Sequence, residues 1–89
     1  MTIAHGHGYK ESQIKQRVAR IIKEFRNLLT FSEYNVIIDE LDKEVNKYVI
    51  RGKYYYRGFG SQGVEEGTFN ISLNADDLEP VKTSIIKKS

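Results

Sequence analysis

At 89 residues, with a formal charge of +2 and no cysteine, the chain has room for one small domain and not for two. Its 39% hydrophobic and 29% charged content is that of a folded domain, which excludes a disordered class, and the lack of cysteine removes disulfide frameworks, thiol nucleophiles and zinc–thiolate sites. No apolar run approaches the roughly 18 residues of a membrane span and the start has no signal-peptide pattern, so the expectation is a cytoplasmic protein with no membrane partner.

Residues 1–9, MTIAHGHGY, read as a flexible arm, and residues 10–89 as the single domain. Ile14, Val18, Ile21, Ile22, Phe25, Leu28 and Leu29 then recur at helical spacing on one face, with Lys15, Arg17, Arg20, Lys23 and Arg26 at its borders and behind it. Ser12 is the expected N-cap. From Tyr34 the period changes to two: Val36 and Ile38 share one face of a first strand, and Ile37, Asp39 and Leu41 the other. Polar residues from Asp42 to Asn46 predict a turn. A long second strand follows, in which Tyr48, Ile50, Gly52, Tyr54 and Tyr56 alternate with Val49, Arg51, Lys53, Tyr55 and Arg57. Residues 58–67 hold four of the seven glycines and read as a loop, and Thr68 to Leu73 as a third strand with Phe69, Ile71 and Leu73 facing inward. Asn74-Ala-Asp-Asp predicts a turn built on side-chain-to-backbone hydrogen bonds, with left-handed geometry that Asn and Asp tolerate. A last strand from Val81 to about Ile86 opens at Pro80, as an edge strand does. The expected fold is α+β: one N-terminal amphipathic helix packed on a roughly four-stranded antiparallel meander.

That fold leaves one sheet face without a helix. The apolar Ile37, Leu41, Val49 and Tyr55 would stand there among charges, and a contiguous apolar patch on a small domain marks a partner or dimer surface. So small a domain buries only about 60 to 65% of its unfolded surface, so self-association would add stability. The same face carries Arg51, Lys53, Tyr55 and Arg57 on one strand, the basic groove with a stacking aromatic that single-stranded nucleic acid requires. The competing explanation is charge pairing. Residues 33–46 are net −4 and residues 47–58 net +4, so neighbouring strands would set acids such as Asp39 opposite the basic side chains.

Other motifs carry less. Gly58-Phe59-Gly60-Ser61-Gln62-Gly63 fits G-x-G-x-x-G, but no helix follows to receive a phosphate, and Glu65 and Glu66 would repel one. Arg57-Gly58-Phe59-Gly60 matches the start of an RNA-recognition signature, which Ser61-Gln62-Gly63 then breaks. His5 and His7 form an H-x-H pair with no third ligand nearby, so neither a metal nor another cofactor is expected. The acids Glu65, Glu66, Asp76 and Asp77 read as solubilising, with no catalytic constellation around them.

Residues Gly67 to Val81, GTFNISLNADDLEPV, resemble the strand-turn-strand of PepSY-type modules and of the gas vesicle protein O family. In both, an amphipathic helix precedes an antiparallel meander; here residues 12–86 follow that element order. The chain departs from the gas vesicle pattern at residues 82–89, KTSIIKKS, which hold no arginine or aromatic residue. The resemblance implies a non-enzymatic accessory or binding domain. Together with the open sheet face, it gives the leading expectation: an interaction or assembly module whose partner is a protein or a second copy of itself. Nucleic-acid binding is the alternative.

Overall fold

A computed structural model describes residues 9–88. The arm carrying His5 and His7 lies outside them. Helix α1 (Glu11–Phe25) is followed by strands β1 (Glu33–Lys43), β2 (Lys47–Arg57), β3 (Val64–Asn74) and β4 (Pro80–Lys87), which form one antiparallel sheet in the order β1-β2-β3-β4. The architecture is the expected α+β one.

The helix starts earlier than its serine suggests. Lys10 is the N-cap and its N–H donates to Gln13 Oε1 at 2.8 Å, so Ser12 lies inside the first turn. The helix also stops earlier than the apolar stripe. Asn27 takes a left-handed φ of 59°, and the Leu28 N–H reaches back to Lys23 O at 2.7 Å, closing a C-terminal Schellman turn. Leu28 therefore folds into the core, whereas Phe25 and Leu29 are left exposed.

Ile14, Val18 and Ile22 bury completely on the inner sheet face among Val36, Ile50, Tyr54, Tyr56, Ile71 and Leu73. Each such side chain contributes roughly 1.5–3 kcal/mol. Two strand glycines make room for the aromatics of this layer. A Cβ on Gly52 would stand 1.9 Å from Ile37 O and 2.9 Å from the Phe69 ring, and one on Gly67 2.2 Å from Ile86 O and 2.9 Å from the Tyr54 ring.

The sheet departs from simple alternation at one place in β1. Ile38 pairs with Gly52 and Glu40 with Arg51, so Asp39 is an extra, bulged residue. The bulge reverses the faces beyond it. Leu41 consequently pairs with Ile50 and lies against the core, on the side opposite to the one its spacing predicts. β1 also runs on through Asp42 and Lys43, which shortens the expected turn.

β3 begins four residues before Thr68, because Val64 to Gly67 pair with Arg57 to Tyr54. The loop is thus residues 58–63, tightened by a 3₁₀ turn at Gly60–Gln62 and by Gly58 N–H to Gly63 O at 2.9 Å. At the β3–β4 turn, Asn74 Oδ1 accepts the Asp76 N–H at 2.7 Å, as expected, but the left-handed residue is Leu78, at φ 61°. That conformation costs ~1–3 kcal/mol for a residue with a side chain, and the burial of Leu78 in the core offsets it. Arg17 Nε donates to Leu78 O at 3.1 Å, and Tyr9 OH to Asp76 O at 2.7 Å, tying this turn to the start of the helix.

Candidate interaction surface

The register lays the outer face out in rows that cross all four strands. Ile37, Lys53, Thr68 and Ile86 form one row; Glu40, Arg51, Asn70 and Ser84 the next; Asp42, Val49, Ser72 and Lys82 a third. On the other side of the isoleucine row, Asn35, Tyr55 and Glu66 stand side by side. Ile37, Val49 and Tyr55 occupy this face as the sequence predicts, and Leu41 does not. The remaining three do not form a continuous patch: the Glu40–Arg51 row separates Val49 from Ile37, and Lys53 stands beside Ile37. Exposed apolar groups on this face are Ile37 (48%), Tyr55 (41%), Val64 (50%), which pairs with Arg57, and Ile86 (67%), the last one, like Val64, absent from the expected set. The signal of Ile86 in the sequence is its alternation with Ile85 along β4.

Arg51, Lys53, Tyr55 and Arg57 share this face of β2. Arg51 Nη1 lies 3.0 Å from Glu40 Oε1 and Arg57 Nη1 3.7 Å from Glu33 Oε1. The acids opposite are therefore Glu40 and Glu33, because the bulge takes Asp39 out of register. All four side chains of these pairs are more than half exposed, so each pair is worth roughly 0–1 kcal/mol and opens readily. Lys53 makes no ion pair among the described residues.

The sheet's two edges differ in sign. β1 carries Glu33, Asp39, Glu40 and Asp42 with a single lysine, whereas β4 carries Lys82 and Lys87 and no acid, and Lys88 follows it. Asp42 and Lys82, at the two ends of one row, make no ion pair among the described residues.

The inner face holds a polar cluster that sequence reasoning missed. Glu65, expected to be a solubilising loop acid, points to the helix side, its side chain only 11% exposed. Arg26 Nε donates to its Oε2 at 2.7 Å and Tyr54 OH to the same oxygen at 2.9 Å. Burial pushes the Glu65 carboxyl up, but the hydrogen bonds from Arg26 and Tyr54, with the Arg26 charge, outweigh it and hold the group below its ordinary range. The bond to Glu65 raises the Arg26 guanidinium further, and burial, reinforced by Glu65, pushes the Tyr54 phenol up to about 12. Tyr56 beside it stacks on Tyr34 at 5.4 Å between centroids, meets Tyr54 edge-on at 5.9 Å and donates to Ala19 O. Its phenol is raised by burial and then by the neighbouring Tyr34 and Tyr54. This cluster fastens the loop after α1 to β2 and β3, and every polar atom named in it has a partner.

The loop with the G-x-G-x-x-G pattern spends its own donors: Phe59 N–H goes to Gln62 Oε1 at 2.9 Å and Gln62 N–H to Phe59 O at 3.0 Å. Among the described residues no three His, Asp or Glu side chains gather as metal ligands would, and no helix is long and apolar enough to cross a membrane. No family model, no curated protein and no solved structure matches the chain.

Proposed function

We propose that this chain is a small cytoplasmic, non-enzymatic interaction module that associates with copies of itself through its sheet. The observation that carries this reading is the one-sided cover. The helix packs on the inner face, while the outer face, with Ile37, Tyr55 and Ile86 between 41% and 67% exposed, has no layer over it among the described residues. An antiparallel sheet tolerates water on one face, but a face meant only for water has no need of isoleucines at both ends of one row. Static light scattering across a wide concentration range tests the reading. A mass that rises above one chain, and falls back in Tyr55→Glu or Ile86→Glu, is the expected result; a single-chain mass throughout rejects it.

A second reading, nucleic-acid binding, has one observation in its favour: Lys53 and Tyr55 are adjacent on β2, Lys53 has no acid partner among the described residues, and Arg51 and Arg57 flank them in weak pairs. Phosphate contacts release counterions, so binding must weaken steeply with salt. Titration of single-stranded RNA and DNA at two salt concentrations checks it, and absent or salt-independent binding removes it.

A further inference from the structure

Resting on the self-association reading, we propose that the association is head-to-tail, with the β4 edge of one copy adding to the β1 edge of the next to make a continuous antiparallel sheet. Three observations converge on this arrangement.

The first is direction. Four antiparallel strands are an even number, so β1 and β4 run opposite ways and a second copy in the same orientation continues the alternation. The second is charge. An acidic β1 edge repels another β1, a lysine-bearing β4 edge repels another β4, and only the β4-to-β1 junction joins opposite signs. Aligned row for row, that junction sets Lys82 beside Asp42 of the next copy and Ile86 beside its Ile37. These are two charged groups that make no ion pair among the described residues, and two exposed apolar groups.

The third is cover. The helix backbone comes nearest to β1, and at the far edge Thr83 and Ile85, on the inner side of β4, are only half-buried. A copy added at β4 brings its own helix beside that half-covered strip. The charges on each edge, which in isolation read as protection against strand pairing, thus exclude like edges and leave one partner.

Such a contact is heterologous and does not close on itself unless the rotation per copy happens to make a ring. The test is light scattering on the full chain over a concentration series, at low and at high salt. Wild-type mass is expected to climb past two copies without a plateau at the dimer, and less steeply at high salt. Lys82→Glu and Asp42→Lys alone are each expected to weaken association about three- to tenfold, and an equimolar mixture of the two to recover it, because both junctions then join opposite charges. Both side chains are exposed, so circular dichroism and Tm should match wild type and exclude misfolding as the cause.

A mass that stops at the dimer, or charge variants that associate like wild type, overturns the edge pairing. If association is also lost in Tyr55→Glu, the sheet-face reading survives without it. A wild-type chain that stays at one copy in low salt overturns both.

Discussion

Glu65 and Glu66 are consecutive on β3, yet Glu65 points under the helix, where it accepts from Arg26 at 2.7 Å and from Tyr54, whereas Glu66 points outward to a 3.6 Å contact with Lys88. The helix-side ion pair is largely enclosed: the Glu65 side chain is 11% exposed, and its partner's 33%. The outer one stands in water, at 47% and 71%. One face of the sheet has therefore committed its polar groups to a fixed geometry, and the other holds charges that can exchange partners. The fixed polar geometry lies on the first face, and the proposed recognition surface on the second.

The comparison breaks most severely where the inner layer has no spare volume. Gly67→Val would drive a side chain into Ile86 O and the Tyr54 ring, and Gly52→Ala into Ile37 O, so each is expected to lower unfolding free energy by about 3 kcal/mol in a denaturant melt. Next comes the acid pair itself. Glu65→Ala leaves Arg26 and the buried Tyr54 hydroxyl without their acceptor and should cost about 2 kcal/mol, with Glu66→Ala within about 0.5 kcal/mol of wild type. Equal costs would remove the distinction between the faces.

The pH dependence sharpens the same contrast. The folded-state pKa of Glu65 is depressed, so its contribution is fully present above the ordinary value of 4.5 and is lost as pH falls through the lower folded value. Tyr54 has the opposite sign: its phenol is raised from 10.0 to about 12, so stability is lost as pH climbs through that window. Tm measured against pH should fall at both ends, and Glu65→Gln should flatten the acid limb.

Much of this was legible in the chain. The apolar stripe of α1 and the period of two along β1, β2 and β3 name every buried apolar residue of the core except Ala19 and Leu78, because burial on one face imposes a spacing that each side chain repeats. The structure departs from the pattern where a single residue alters parity or direction. Asp39 adds one residue to β1, and the bulge sends Leu41 inward; Asn27 takes a left-handed turn, and the helix ends before its stripe does. Neither shows as a break in hydrophobic pattern. Gly67 and Glu65 read as loop because glycine and acid are common in loops. Their reasons for being in a strand are the Tyr54 ring, which needs the space, and Arg26, which is distant in sequence.

The smallest expected effect is the most specific to the outer face. A double-mutant cycle on Arg51 and Glu40, 3.0 Å apart and both more than half exposed, should return a coupling of only about 0.5 kcal/mol, because two long side chains lose rotamer freedom for a Coulomb gain that water screens. The same cycle on Arg26 and Glu65 should return about three times that, since breaking an enclosed pair leaves a charge without its partner. Raising the salt concentration separates them further, weakening the exposed coupling and leaving the enclosed one nearly unchanged. A large, salt-insensitive coupling between Arg51 and Glu40 would mean that the outer face is fixed by its own ion pairs. Arg51 would then be unable to turn toward a phosphate, and the basic strand face would be structural.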